Sequence, residues 1–263
     1  MADAILELDD VRAGYGRAAL VLRGLSVSVA PGELVCLVGP NGAGKSTVLR
    51  VASGLLNPRA GRIRLRGEDV AGMRAEKLLR HGVVHVLQGH SVFPEMTVAE
   101  NVLLGAFTLR DKALVRQRAD AVKQRYEVVA DRWNGLAGLL SGGQQKIVEF
   151  ARAMMLDPDV LLLDEPSCGL EPRAAAQIFD EVGKLRDAGK AILLVEQNAR
   201  AGLGIADRGC VLDLGVVRTD GPARELLADP SLAALYLGAP PKVDTDDPAP
   251  TTGSLGAEGA PNR

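Results

Sequence analysis

Residues 39–46 read Gly39-Pro40-Asn41-Gly42-Ala43-Gly44-Lys45-Ser46 and match the pattern G-x-x-x-x-G-K-[ST] at every position. An apolar run at residues 34–38 precedes this loop and predicts a buried strand, and a helical pattern follows it at residues 45–53. A strand before the loop and a helix after it are the context that the pattern requires. The sequence therefore predicts a phosphate-binding loop that joins a strand to a helix.

The chemistry of this loop suits the phosphates of a nucleotide. Glycines let backbone N–H groups surround phosphate oxygens, and the N-terminus of the following helix adds a partial positive charge. We expect Lys45 to reach the β- and γ-phosphates and the Ser46 hydroxyl to bind Mg²⁺. The predicted nucleotide-binding residues of this segment are Gly39, Pro40, Asn41, Gly42, Ala43, Gly44, Lys45, Ser46 and Thr47.

Two consecutive acidic residues end a second apolar run. Residues 160–163 are Val-Leu-Leu-Leu, and Asp164 and Glu165 follow directly. An aspartate at the end of such a strand is the second Mg²⁺ contact of enzymes that carry this type of phosphate loop. Glu165 is then placed to polarise an attacking water molecule. Together with Lys45, the two acidic residues predict hydrolysis of a nucleoside triphosphate.

Apolar runs alternate with helical patterns along most of the chain, which predicts an α/β fold around a parallel sheet. Three segments near the N-terminus, at residues 5–11, 25–29 and around 63–65, predict an additional antiparallel β layer. From about residue 97 to 139 the patterns are helical without a convincing strand. We therefore expect an all-helical insertion at about residues 90–157. Further strands are predicted at 83–86 and 191–195, and further helices at 97–107, 143–156 and 172–188.

Composition and charge limit the class of protein. The 263 residues include 31 Lys and Arg against 33 Asp and Glu, which argues against nucleic acid as the main partner. The three cysteines lie far apart, as suits a reducing compartment, and no apolar run is long enough to span a bilayer. We expect one folded domain over residues 1–238. Residues 239–263 contain five prolines and four acidic residues, which predicts a disordered acidic tail.

A third motif points to a family. Residues 140–144 read Leu-Ser-Gly-Gly-Gln just before a predicted helix and upstream of Asp164. Between the other two motifs, this string resembles the signature sequence of ABC-transporter ATPases, and the resemblance covers roughly residues 4–238. It implies the ABC ATPase fold, which is a P-loop NTPase parallel sheet core with an antiparallel β subdomain and an all-helical insertion. It also implies that the nucleotide of a partner subunit is bound by the signature residues Ser141, Gly142, Gly143 and Gln144.

The resemblance implies further assignments at matching positions. Tyr15, in a Gly-Tyr-Gly turn ahead of the phosphate loop, corresponds to the aromatic residue that stacks on adenine. Gln88 corresponds to the glutamine that contacts Mg²⁺ and links to the helical insertion. Glu171 lies in the loop that crosses the dimer interface, where most relatives have aspartate. The implied Mg²⁺ ligands are Ser46, Gln88 and Asp164.

Gln197 departs from the family pattern. In the string Val-Glu-Gln-Asn at residues 195–198, the family usually carries histidine at the third position, in contact with the γ-phosphate. Glutamine can still donate a hydrogen bond but cannot become a cation. We expect the γ-phosphate contact to remain and the stabilisation of transition-state charge to weaken. The implied catalytic residues are Lys45, Glu165 and Gln197.

The string Val-Glu-Gln-Asn at residues 195–198 resembles one branch of the family, the ATPase subunits of branched-chain amino acid importers. Residues 93–98 and the closing Tyr-Leu-Gly at 236–238 resemble that branch too, although it commonly has glutamate at the position of Gln88. Urea or short-chain amide importers are similar to nearly the same degree, so the solute stays open. A non-transport ABC ATPase that acts on DNA or ribosomes is a further alternative.

The resemblance also implies cofactors, partners and a location. It implies an ATPase subunit that uses ATP and Mg²⁺ to power an ABC importer. The implied partners are a second ABC ATPase subunit (a copy or a homologue), transmembrane permease subunits and, indirectly, an extracytoplasmic solute-binding protein; nucleic acid is not among them. The chain would lie at the cytoplasmic face of the cell membrane, bound through the permease subunits.

Overall fold

The computed structural model describes residues 4–16, 19–89 and 91–230. The expected acidic tail at 239–263 and the string at 236–238 lie outside these residues. The strands are β1 (Leu6–Ala13), β2 (Leu22–Val29), β3 (Leu34–Val38), β4 (Ala60–Leu65), β5 (Glu68–Asp69), β6 (Val83–Val86), β7 (Val160–Asp164), β8 (Ala191–Val195), β9 (Arg208–Asp213) and β10 (Val216–Pro222). The helices are α1 (Lys45–Ala52), α2 (Ala75–Arg80), α3 (Val98–Leu103), α4 (Lys112–Arg125), α5 (Glu127–Asp131), α6 (Gly142–Met154), α7 (Pro172–Asp187), α8 (Ala199–Ile205) and α9 (Ala223–Ala228).

A mostly parallel sheet forms the centre of the described chain. Its strand order within the described residues is β10-β9-β3-β8-β7-β6, and in this sheet only the edge strand β10 pairs antiparallel with its neighbour. Both faces are covered, because Leu34, Cys36 and Val38 of β3 join one apolar cluster, while Val35 and Leu37 join another. Burial on both faces explains why β3, β7 and β8 are apolar runs without alternation. The predicted parallel α/β core is confirmed.

The antiparallel layer is a second sheet with the order β2-β1-β4-β5 within the described residues. Leu6 of β1 pairs with Val29 on one side and with Leu65 on the other. These strands pack with Val48 and Leu49 of α1 in a single apolar cluster. The predicted antiparallel layer is therefore confirmed, and it covers the helix that follows the phosphate loop.

The described part of the chain between β6 and β7 is helical. It contains α3 to α6 and two 3₁₀ turns, with one isolated bridge between Thr97 and Leu136. Phe150 and Ala151 of α6 are buried in the apolar cluster that also contains Leu161 of β7. Lys146 of α6 also donates a hydrogen bond to the carbonyl oxygen of Gly89, so α6 lies directly beside the segment that leaves β6. Among the helices described, none is long and apolar enough to cross a membrane.

Candidate nucleotide-binding and catalytic site

The phosphate loop leaves the carboxyl end of β3 and enters α1 through close packing. A Cβ atom at Gly39 would lie 2.1 Å from the carbonyl oxygen of Leu212, so only glycine fits there. Gly44 is the N-cap of α1, with a φ of 107° and no side-chain cap. The first turn of a helix has N–H groups without intrahelical acceptors. Loop and helix together therefore offer backbone donors and a positive dipole end to an anion.

Lys45 is the buried cation of the site. Its residue is 6% exposed, and its Nζ donates hydrogen bonds to the carbonyl oxygens of Gly39 at 2.7 Å and Pro40 at 3.2 Å. Burial lowers the pKa of Lys45 from its ordinary value, while the charges of Glu165 and Asp164 oppose that shift. The carbonyl groups of the loop thus hold the ammonium group where phosphate oxygens can compete for it.

Ser46 and Asp164, which are 118 positions apart, are in contact. Ser46 Oγ donates to Asp164 Oδ1 at 3.0 Å. Burial raises the pKa of Asp164, and the Ser46 hydrogen bond and the positive charges of Arg50 and Lys45 oppose the rise. Mg²⁺ prefers oxygen ligands and is commonly held by one or two protein groups together with phosphates and water. A hydroxyl beside a carboxylate fits this requirement. Among the described residues, no group of three or more His, Cys, Asp or Glu side chains could hold a metal ion.

Glu165 follows β7 in a backbone conformation that is rare for its residue type. Its φ is 46°, in the left-handed region, and its N–H donates to the carbonyl oxygen of Val195 at 2.9 Å. Its Oε2 accepts a hydrogen bond from Gln88 Nε2 at 2.7 Å. Backbone outliers held in this way cluster at functional sites. The structure thus holds the Glu165 carboxylate in a defined place, with Gln88 as its amide partner.

One cleft of about 540 Å³ collects most of the residues that the sequence predicts for nucleotide binding and catalysis. Tyr15 is 44% exposed, and its hydroxyl lies 3.3 Å from Thr47 Oγ1. Asp164 contributes through its contact with Ser46. The residues that line the cleft are Tyr15, Val21, Asn41, Gly42, Gly44, Lys45, Ser46, Thr47, Gln88, Glu165 and Gln197.

The signature residues lie at the N-terminus of α6 and do not line this cleft. Ser141 caps α6 reciprocally with Gln144: the Gln144 N–H donates to Ser141 Oγ at 3.4 Å, and the Ser141 N–H donates to Gln144 Oε1 at 3.0 Å. A Cβ atom at Gly143 would lie 2.8 Å from Ala174 Cβ, so glycine lets α6 begin close to α7. Ser141 and Gln144 are exposed. The N-terminus of α6 is therefore accessible to a ligand that is bound to another molecule.

Glu196 is a buried carboxylate that the sequence analysis did not single out. It is 2% exposed and accepts hydrogen bonds from the N–H of Ser167 at 3.1 Å and from its hydroxyl at 2.9 Å. Burial raises the pKa of Glu196, and the charge of Glu165 raises it further, against the Ser167 hydrogen bonds. Glu196 thus joins the strand end that carries Gln197 to the loop after Glu165. The position of Glu196 directly before Gln197 indicates in the sequence that it lies near the site. The presence of an acidic residue there does not by itself predict that its side chain is buried.

Two observations define the class of the protein. The phosphate loop follows a strand of a parallel sheet, and Ser46 of this loop donates a hydrogen bond to Asp164 at the end of another strand. These features are those of a P-loop nucleoside triphosphatase. The profile of the ABC transporter family matches residues 22–168 of the chain. The chain belongs to the ABC transporter family, and it is an ATP-binding ATPase of that family.

Individual relatives agree with this membership. The high-affinity branched-chain amino acid transport ATP-binding protein BraG of Pseudomonas aeruginosa is 38% identical over 89% of this chain and 100% of its own length. The lipopolysaccharide export system ATP-binding protein LptB of Acidithiobacillus ferridurans is 37% identical over 84% of this chain and 92% of its own. A dimeric, post-hydrolysis structure of the ATP-binding cassette MJ0796 with ADP and Pi has a TM-score of 0.72 at 26% identity, covering 83% of this chain and 99% of that one.

Proposed function

We propose that the chain is the ATP-hydrolysing subunit of an ABC importer for branched-chain amino acids. The observation that carries the proposal is the meeting of Lys45, Glu165 and Gln197 in one cleft from which the signature residues are absent. A cleft with phosphate-binding and water-orienting groups, but without Ser141 and its neighbours, is expected if a second subunit supplies the signature. The ATP-binding cassette MJ0796 is dimeric with ADP and Pi bound, which supports the pairing of two subunits.

In the proposed reaction, water attacks the γ-phosphate in line with the departing β-phosphate oxygen. Glu165 accepts a hydrogen bond from this water and orients it. Lys45 exchanges the carbonyl groups of Gly39 and Pro40 for phosphate oxygens as the nucleotide enters. Gln197, exposed at the end of β8, donates a hydrogen bond to the γ-phosphate. Catalysis by this chain therefore consists mainly of positioning and of charge placed beside the phosphates.

The remaining groups of the cleft fit the metal ion and the base of the nucleotide. We assign Mg²⁺ to Ser46, Asp164 and Gln88; when bound, it neutralises charge on the β- and γ-phosphates. Tyr15 presents an exposed ring at the rim of the cleft. Stacking of an aromatic side chain on a base contributes about 1–3 kcal/mol. We assign Tyr15 to the adenine.

An apolar groove beside the helical region is suited to bind membrane subunits. It encloses about 250 Å³ between β6 and α6, and Leu87, Leu104 and Phe107 are exposed along it. Phe107 is 68% exposed. Exposed apolar patches of this kind mark interaction sites. We assign this groove, which opens close to Gln88, to the permease subunits, and this contact places the chain at the cytoplasmic face of the membrane.

The solute assignment rests on BraG, whose whole length this chain matches, and on the Val-Glu-Gln-Asn string at residues 195–198. The test is reconstitution of the full chain with its permease subunits and solute-binding protein in proteoliposomes. Leucine, isoleucine and valine should enter in an ATP-dependent way and should stimulate ATP hydrolysis, whereas urea and acetamide should not. A complex with the Glu165→Gln chain is the control for uptake that does not depend on hydrolysis. Uptake of urea alone, or movement of lipopolysaccharide instead of amino acids, would contradict the assignment of branched-chain amino acids as the solute.

Replacing Gln197 tests its proposed contact with the γ-phosphate. Gln197→Ala removes one hydrogen bond, so the single-turnover rate of ATP hydrolysis should fall about tenfold. Gln197→His adds a group that is a cation below its pKa of about 6.5, so its rate should rise as the pH falls through that value. Arg200→Ala, an exposed change on the neighbouring helix, is the control. Unchanged ATP affinity and unchanged single-turnover rate in Gln197→Ala would exclude the contact.

A further inference from the structure

A buried ion pair on α6 lies close to the segment that leaves β6. Lys146 is 1% exposed and Glu149 is 3% exposed, and Lys146 Nζ lies 2.5 Å from Glu149 Oε2. Removing two charges from water is costly, and an apolar pair of similar volume is often as stable. The stability of the fold is therefore a weak reason for this pair, and its other contacts are more informative.

Both side chains bind the main chain just after Gln88. Lys146 Nζ donates a hydrogen bond to the carbonyl oxygen of Gly89 at 2.7 Å. The N–H of Ser91 donates to Glu149 Oε1 at 2.5 Å. Each charged group thus binds its ionic partner and one backbone group at the same time. The segment is held at two points within three residues of Gln88.

Gln88 reaches the catalytic cleft from this held segment. Its Nε2 donates to Glu165 Oε2 at 2.7 Å. The carbonyl group that Lys146 binds belongs to the very next residue, Gly89, and the Cα atoms of neighbouring residues are joined through a planar peptide unit of fixed length. The contact of Lys146 with the Gly89 carbonyl group therefore restrains the backbone directly beside Gln88.

The same helix carries the signature at its start. Ser141 is the N-cap of α6, and Lys146 and Glu149 lie in the following two turns. Arg152, three residues further along α6, donates to the carbonyl oxygen of Ser91 at 2.8 Å. Three side chains of α6 thus hold the segment after Gln88. Helix α6 consequently joins the signature at its N-terminus to the segment that follows Gln88.

We propose that Lys146 and Glu149 are positioning residues that hold Gln88 against Glu165 and make this contact depend on the position of α6. The proposal rests on the proposed function, in which Glu165 orients the attacking water and the signature binds the nucleotide of a second subunit.

A double-mutant cycle with Gln88 tests the proposal on the full-length chain. The variant Lys146→Met with Glu149→Leu removes both charges and keeps an apolar pair of similar volume. It is measured with and without Gln88→Ala for single-turnover ATP hydrolysis, affinity for ATP and melting temperature. The control is Arg125→Met with Glu181→Leu, because that ion pair also joins the helical region to the core but contacts neither Gly89 nor Ser91. Arg125 is more exposed than Lys146. Glu181 also accepts a hydrogen bond from the Tyr126 hydroxyl, so the control overstates the cost of losing an ion pair to stability. If the apolar pair does not fold, the isosteric Glu149→Gln takes its place in the same cycle.

We expect the apolar pair to lower the single-turnover rate about tenfold or more, with ATP affinity nearly unchanged. In the Gln88→Ala background this loss should disappear, whereas any loss in the control pair should be the same in both backgrounds. A loss of equal size in both backgrounds, or no loss at all, would overturn the positioning role. A parent rate in Gln88→Ala alone would instead overturn the proposed role of Gln88 in the site, so the two failures are distinguishable.

Discussion

Replacing Glu165 by glutamine should lower the rate of ATP hydrolysis by about 10²–10⁴-fold and leave ATP binding intact. Glutamine keeps the size of the side chain and an acceptor oxygen for Gln88, but it removes the charge that orients the attacking water. The backbone is unaffected, because the N–H of residue 165 still donates to the carbonyl oxygen of Val195. The substitution should therefore slow the chemical step of ATP hydrolysis and leave the other steps unchanged.

Two measurements on the Glu165→Gln chain check this expectation. The single-turnover rate reports the chemical step, and size-exclusion chromatography with ATP should show a dimer that accumulates because it cannot hydrolyse the nucleotide. Glu127→Gln, which neutralises an exposed carboxylate in the first turn of α5, is the control and should hydrolyse ATP at the parent rate. Hydrolysis at the parent rate by Glu165→Gln would mean that another group orients the water.

Local patterns in the sequence predict the parts of the fold that are fully buried. The apolar runs at 34–38 and 191–195 coincide with β3 and β8, because a central parallel strand is buried on both faces over its whole length. The phosphate loop is equally local, since its function needs contiguous residues between one strand and one helix. Strands β9 and β10 were not predicted. The edge strand β10 is half-buried to exposed along its length and has no apolar run. Strand β9 lies between β10 and β3 and is mostly buried, but only Cys210, Val211 and Leu212 form an apolar run in it.

The contacts that assemble the site depend on strand order, which the sequence does not display. Gln88 and Glu165 are 77 positions apart and meet because β6 and β7 are neighbours in the sheet. The apolar spacing of α6 predicts a buried face that includes Phe150, but it gives no sign that Lys146 and Glu149 are buried as well. Charged residues are rarely buried without a partner. The i,i+3 spacing of Lys146 and Glu149 permits an ion pair within one helix, but the backbone groups of Gly89 and Ser91 that they also bind become visible only when the helix is packed.

A second large change in the rate of ATP hydrolysis is expected in mixed dimers, whose two chains carry different substitutions, because each proposed site is shared between two subunits. Ser141→Arg places a bulky cation at the signature, and Lys45→Ala removes the ammonium group that binds the phosphates. If one chain carries Ser141→Arg and its partner Lys45→Ala, both changes fall in one shared site and the other site stays intact. If one chain carries both changes and its partner none, each site is damaged once.

The rate of ATP hydrolysis by two dimers of this chain, purified through a different affinity tag on each copy, tests the shared site most directly. The dimer with the changes on separate chains should keep about half of the parent rate, since one intact site remains. The dimer with both changes on one chain should be at least about tenfold slower, because neither site has both the Lys45 ammonium and an unobstructed signature. Equal rates in the two arrangements would contradict sites built from the phosphate loop of one subunit and the signature of the other.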